Sequence, residues 1–263
     1  VLAIACTLTF LLPAGLPAAE RPNIVLIMAD DMGYSDLGCF GGEIRTPHID
    51  QLATNGLRFT NFYSENMCWV SRAALLTSIY HKTSLHNSTL HSRCVALPEV
   101  LGSAGYRTML CGKWHLAGKN SSVYPNDRGF SDFYGILGGA ASFYAPFSLS
   151  RNRLNVESEA NKDPGYYFTN AISSEAVALI RESRPDQPVF LNLAYTAAHW
   201  PLHAPPSEIQ KYNGRYAEGW DALRSERLKR MKSLGILPES LGLSPRHPNV
   251  PAWEETENKA WQQ

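Results

Sequence analysis

Neither sign of charge dominates this sequence. Lysine plus arginine number 24 and aspartate plus glutamate number 24, so the formal charge is zero with neutral histidines. A chain with no basic excess or stripe is not built to hold nucleic acid. Cysteine pair motifs are missing as well. Cys6, Cys39, Cys68, Cys94 and Cys111 are scattered with no Cys-x-x-Cys among them, which argues against a zinc ribbon or a thioredoxin-like site. There are no internal repeats or low-complexity tracts, and no apolar run is long enough to make a stable membrane span. What remains is a globular composition, 44% apolar and 18% charged, too apolar to stay disordered. Its 263 residues suit one large domain or two small ones and can bury a sizeable core.

The first residues, VLAIACTLTFLLPAGLPAAE, are apolar for about a dozen positions and then turn small and proline-rich, the pattern of a secretory leader. Pro13 and Pro17 disfavour a buried helix there. The expectation is a leader over 1–19, without a basic start and with Pro17 three positions before the cut, followed by the main domain over 20–263. An exported protein, periplasmic or extracellular, follows from that. In an oxidising compartment some of the four remaining cysteines have the opportunity to pair, with a connectivity that spacing does not fix.

Strand-like and helical segments alternate along the rest. NIVLIMADD (23–31) is a continuous apolar run closed by two carboxylates, the pattern of a buried parallel strand. TPHIDQLATNG (46–56) has a Thr-Pro start and a Gly stop, so it predicts a short helix. LRFTNFYSE (57–65) alternates weakly and predicts a strand. SRAALLTSIY predicts a helix with Ser71 as candidate cap. VALPEVLGSAG predicts a helix, YRTMLCGKW a strand, residues 150–165 an exposed polar loop, NAISSEAVALIRES an amphipathic helix and PVFLNLAY a strand. From about 205 the chain turns helical and charged, then proline-rich. The class is therefore α/β with a mainly parallel sheet flanked by helices.

In open α/β sheets, sites gather beyond the carboxyl ends of the strands. Asp30 and Asp31 end the first strand, Lys113 and His115 end another, and His199 follows a third. Cys68 lies before a helix, whose free N–H groups and positive dipole end attract anions, with Arg72 about one turn on. Two adjacent carboxylates suit a hard divalent cation such as Ca2+ or Mg2+. Arg, Lys and two His beside them suit an oxyanion with several charged oxygens, a phosphate or sulfate ester. Taken singly each feature has an ordinary explanation: an acidic loop for Asp-Asp, a small buried hydrophobe for a lone cysteine, a structural role for a lone histidine. Their common place at strand ends favours a site.

These residues carry a resemblance from about Arg21 onward. RPNIVLIMADDMGYSDLGCFGG, TPHIDQLATNGLRFTNFY, CWVSRAALLTS, GKWHLAGKN, PNDRGFSDFYG and AAHWPLHAP occur in the order found in the formylglycine-dependent sulfatases of the alkaline-phosphatase-like superfamily. KYNGRYAEGWDALRSERLKRMKSLGILP resembles the bacterial arylsulfatase branch. The resemblance implies a sulfuric ester hydrolase. Cys68 would be oxidised to formylglycine (3-oxoalanine) by a formylglycine-generating enzyme. The substrate would be a small sulfate ester or a sulfated glycan. Asp30, Asp31 and the modified Cys68 would bind Ca2+, or Mg2+ in its place. Arg72 would hold the formylglycine, Lys113 the sulfate, His115 would take the hydroxyl proton, and His199 would contact sulfate and protonate the leaving oxygen. His203 is expected to be structural or substrate-facing, and His81, His86 and His91 to lie outside the core motif.

The sequence departs from the family pattern at two points. Val70 stands where the motif Cys-x-Pro-Ser-Arg has proline, and Trp69 is large for its position. The family's later Asp-Asn pair and following Lys have no match within 1–263, so the resemblance implies the N-terminal portion of the fold, with the C-terminal part and further metal ligands lying beyond it. Two alternatives stand beside a sulfatase. One is a phosphatase or phosphodiesterase of the same superfamily, although those use Ser or Thr nucleophiles and two zinc ions. The other is a non-catalytic binder of sulfated ligands.

Overall fold

The structure, a computed structural model, describes residues 21–118 and 123–262; the expected leader over 1–19 lies outside them. Strands in chain order are β1 (Ile24–Met28), β2 (Leu85–His86), β3 (Thr89–Leu90), β4 (Arg107–Lys113), β5 (Asp132–Ile136), β6 (Leu149–Arg151), β7 (Leu154–Asn155) and β8 (Val189–Ala194). Helices are α1 (Pro47–Asn55), α2 (Cys68–Thr77), α3 (His81–Ser84), α4 (Leu97–Ser103), α5 (Glu157–Lys162), α6 (Phe168–Glu182), α7 (Pro206–Gln210), α8 (Gly219–Ser233) and α9 (Lys259–Gln262). Six strands form one sheet in the order β1-β8-β4-β5-β6-β7, and β2 with β3 makes a separate ribbon. β1, β8, β4 and β5 are parallel, while β6 and β7 are antiparallel. The expected α/β class with a mainly parallel sheet is what the chain adopts.

Each face of the sheet has its own apolar layer. One joins Met109, Cys111, Leu191 and Leu193 to Phe168, Ile172, Ala176 and Leu179 of α6. The other joins Leu110 and Phe190 to Ala73 and Leu76 of α2, with Trp114, Phe130 and Phe133. β4 and β8 lie between the two layers, which is why their sequences are continuously apolar. Burial of so much carbon against well-matched neighbours is the main favourable term holding the strand ends in place.

Four expectations are corrected. The run 23–31 predicted a buried parallel strand, but among the described residues β1 lies at the edge of the sheet. Ile24 and Leu26 face the α2 layer, while Val25 and Ile27 are about half exposed, because α6 packs chiefly over β4, β5 and β8. Residues 57–65 form no strand. Leu57, Phe59, Phe62 and Tyr63 are exposed, and no neighbouring strand supplies the hydrogen bonds an extended segment needs. Ser71 is not a cap. α2 starts three residues earlier, at Cys68, with Met67 in the cap position, and the Ser71 hydroxyl donates back to the carbonyls of Met67 and Glu65. Residues 150–165 are not simply a loop but contain a hairpin and α5. The hairpin turns at Asn152, which adopts a left-handed backbone that asparagine tolerates, and its side-chain oxygen accepts from the N–H of Phe133.

Two glycines let the central strands approach closely. Gly112 in β4 has φ +117° and Gly135 in β5 has φ +157°; a Cβ on Gly112 would overlap the carbonyl oxygen of Ala194, and one on Gly135 that of Gly112. Replacing Gly112 by alanine adds both strain and a clash with fixed backbone in the middle of the sheet. The expected outcome for Gly112→Ala is a loss of about 2–4 kcal/mol, read as a lower urea midpoint with an unchanged slope.

Candidate active site

The parallel strands end on one side, and the chain places its polar groups there. After β1 the backbone continues to pair with the segment following β8: Asp30 N–H donates to Ala197 O at 2.9 Å, and Ala198 N–H to Asp30 O at 2.7 Å. This locks the Asp30–Asp31 turn beside the 195–199 segment. Asp31 has φ +56°, which sends its carboxylate outward while that of Asp30 points in. Asp30 is 4% exposed.

A buried carboxylate costs several kcal/mol unless it is paired. Asp30 is paired twice. The Lys113 ammonium, at the end of β4, donates to Asp30 Oδ2, and the Arg72 guanidinium from α2 lies 3.6 Å from the same oxygen. Arg72 also donates from Nη1 to the carbonyl oxygen of Lys113 at 2.9 Å. Three elements, β1, α2 and β4, are thus fastened through one carboxylate. Burial pulls the pKa of Arg72 down, opposed by Asp30 and Cys68, yet an arginine pKa begins so high that the group stays charged.

Cys68 is the first residue of α2, and its Sγ lies 3.3 Å from Nδ1 of His115. His115 has a left-handed backbone, φ +57°, and its N–H donates to Leu137 O at 3.1 Å. The imidazole is held edge-on by the Trp69 ring at 5.4 Å, and on another side it meets the backbone of Gly139, where a Cβ would collide with the ring. Burial, then the charges of Lys113 and Arg72, push its pKa down to about 4, with Asp30 opposing. At neutral pH His115 is therefore an uncharged base within reach of the Cys68 side chain. His199 completes the group, with Nε2 3.7 Å from Asp31 Oδ2 and Nδ1 2.6 Å from the carbonyl oxygen of Trp200. That short contact is satisfied when Nδ1 carries the proton, which leaves Nε2 as the nitrogen facing the site.

Asp30, Asp31, Cys68, Arg72, Lys113, His115 and His199, expected together from the sequence, are brought together through these contacts. The remaining histidines are not. His203 Nδ1 accepts from the N–H of Phe143 at 3.3 Å, and its ring packs on Phe143 and Tyr144, so it clamps the 142–148 segment to the 199–204 loop. His81 faces Glu65 at 3.3 Å, and His86 and His91 are bound to Asn87 and the N–H of Arg93. Gly139 was not singled out by sequence reasoning. The Gly138-Gly139 pair signals a close backbone approach, although not what approaches.

The carboxylates of Asp30 and Asp31 fit a hard cation in kind. They fit as part of a shell only: Ca2+ takes about six to eight oxygens, and among the described residues no three His, Cys, Asp or Glu side chains gather around one point. Also among the described residues, no helix is long and apolar enough to cross a membrane.

The fold is thus an α/β sheet whose parallel strands carry a cysteine-headed helix, paired acids and basic groups at their carboxyl ends. The Sulfatase family model matches residues 22–246, and the chain belongs to the sulfatase family. It is 32% identical over 271 residues to an arylsulfatase of Klebsiella aerogenes, covering 92% of this chain and 57% of that one. It is 34% identical over 278 residues to human arylsulfatase A, covering 89% and 53%. Among solved structures it is similar to Ps i-CgsB in complex with k-i-k-neocarrahexaose, with TM-score 0.65, 29% identity, and coverage of 82% of this chain and 54% of that chain. The chain spans about half the length of the curated relatives it matches.

The His115 environment predicts a stability profile. Its folded pKa lies below the unfolded value of about 6.5, so the unfolded chain takes up the proton first. This contribution to stability is complete above pH 6.5 and is lost as pH falls toward about 4,. Urea unfolding from pH 7 to 4 should show that decline, and His115→Gln should flatten it. Gly139→Ala should move the imidazole away from Cys68 while the sheet stays intact, visible as a changed His115 side-chain NMR shift with unaltered circular dichroism.

Proposed function

We propose that this chain carries the sulfate-ester-cleaving half of an arylsulfatase-like enzyme, with Cys68 as the precursor of the nucleophile. The observation that carries the reading is the contact set around Cys68. The thiol heads a helix at the carboxyl end of a parallel sheet, 3.3 Å from a neutral imidazole, beside buried Arg72 and Lys113 that share Asp30. A plain thiol would form a thiosulfate ester with no easy exit. Oxidised to formylglycine, the side chain supplies, as its hydrate, one hydroxyl to attack sulfur and a second whose loss of a proton expels sulfate.

The residues of the chain then have distinct tasks. Arg72 holds the modified Cys68 side chain in line, helped by the helix N-terminus. Lys113 binds the charged sulfate oxygens, leaving Asp30 as a shared partner. His115, uncharged at neutral pH, takes the proton from the Cys68-derived hydroxyl at the position where Nδ1 now faces Sγ. His199 donates a proton from Nε2 to the departing alcohol oxygen, a step that needs the ring protonated on both nitrogens since Nδ1 is engaged with Trp200 O,. Asp30 and Asp31, with an oxygen from the modified Cys68, would hold Ca2+, or Mg2+ in its place, together with donors beyond those described. When bound, the cation would lower the pKa of the hydroxyl and offset sulfate charge.

The substrate is a small sulfate ester or a sulfated glycan. Formylglycine-generating enzyme would act before folding, reading the Cys68 segment, and export would follow from the leader expected over 1–19. The test is made on protein co-expressed with a formylglycine-generating enzyme, in its native full length. Peptide mass spectrometry should show the Cys68 thiol of the 65–78 peptide replaced by an aldehyde with the Met67 sulfur retained, and 4-nitrophenyl sulfate should be hydrolysed far faster than 4-nitrophenyl phosphate. Cys68→Ala should abolish turnover, and His115→Gln should lower kcat by about 100-fold or more. An unmodified thiol in active protein would refute the mechanism, and preferential phosphate hydrolysis would refute the substrate class.

A further inference from the structure

Two of the buried polar atoms that stand without a hydrogen-bond partner belong to residues lining the same small cavity. One is Nε of Arg72, whose residue is 4% exposed; the other is Oδ1 of Asn192, on the central strand β8, also 4% exposed. The cavity lies between α2 and the sheet. Leu75, Leu76 and Leu110 form its apolar wall, and Met28 and Lys113 also border it. It leaves about 10 Å³ for the centre of a water molecule, room for one water. Nε–H is a donor and Oδ1 an acceptor, the complement that one water can satisfy at once. Leaving each buried and unmatched would forfeit its hydration with no compensating bond.

We propose that one ordered internal water bridges Arg72 Nε and Asn192 Oδ1, and that Asn192 is thereby a positioning residue for the Arg72 guanidinium. With this link all three sides of the guanidinium are engaged. Nη1 binds the carbonyl oxygen of Lys113, Nη2 faces Asp30, and Nε is tied through water to β8. The anion-binding arginine is then oriented by the sheet core and not by α2 alone. The catalytic use of Arg72 rests on the reading given under Proposed function; the water bridge does not.

Asn192 sits opposite Leu110 on β4 and Leu26 on β1, a position where its neighbours are apolar and an amide would otherwise be disfavoured. A leucine there would be nearly the same size. The test compares wild type, Asn192→Leu, which removes the acceptor, and Asn192→Thr, which keeps an oxygen. Crystal structures at better than about 1.5 Å resolution should show a single peak within about 2.7–3.2 Å of both atoms in wild type. The peak should be absent in Asn192→Leu, with the guanidinium rotated or split, and both features should be restored in Asn192→Thr. A dry wild-type cavity, or a direct Arg72–Asn192 bond, overturns the bridge. An unmoved guanidinium in Asn192→Leu overturns the positioning role. If Asn192→Leu fails to fold, the wild-type and Asn192→Thr structures still decide the bridge, and split guanidinium density in a folded Asn192→Thr would count against positioning. Inorganic sulfate affinity should fall several-fold in Asn192→Leu and recover in Asn192→Thr. A wild-type protein that ignores sulfate while holding the water would sink the sulfatase reading and leave the bridge standing.

Discussion

The site depends on the carboxylate of Asp30. It is buried at the end of an edge strand, and a lone charge there would be untenable. Lys113 from the neighbouring region of the sheet and Arg72 from α2 neutralise it together. That shared pairing sets the distance between β1, β4 and the start of α2. It therefore also sets where Cys68 stands relative to His115. Remove Asp30 and two cations are left facing each other without a counter-charge, so its importance extends beyond any metal it would bind.

Around that cluster the molecule separates tasks by burial. Lys113 and Arg72 are held in the interior, where their charge is weakly screened and directed. Asp31 and His199 are more exposed and face the opening. His115 lies between, desolvated enough to remain uncharged at neutral pH. Its fixed orientation comes from steric features, the Trp69 edge and the bare backbone of Gly139. Trp69, bulky for its place in the motif, thus has a use as a wall for the imidazole. Val70 is buried, so it belongs to the core even though it occupies the motif's proline position.

Much of the fold was legible because β4, β8 and α6 have strong, one-meaning patterns: continuous apolar runs for doubly covered strands, and a 3.6-residue stripe for the helix. The failures have physical causes. Residues 57–65 have strand-like composition but no partner, and pairing is a tertiary event. Ser71 is a good cap residue by type, but the start of α2 was decided by where Met67 turns extended. The 149–155 hairpin hid behind polar residues because its turn is made by Asn152 and its alignment by Phe133. β1 read as fully buried because composition shows that a strand is apolar, not how far the covering helix extends.

By itself the sequence determined the class of fold and the family and pointed to the candidate site residues, because runs such as Met-Ala-Asp-Asp and Gly-Lys-Trp-His put chemistry at strand ends whatever the strand order. Tertiary structure alone decided their relations. Strand order β1-β8-β4 carried Lys113 to Asp30 across an intervening strand, the left-handed turn at His115 aimed its imidazole at Cys68, and Gly139 made the space for it. Asn192 shows the limit most plainly. In the sequence it is one polar residue inside an apolar strand, and only the packing of α2 on the sheet gives it Arg72 as a neighbour, since contacts between residues 120 positions apart are fixed by three-dimensional packing and not by local pattern.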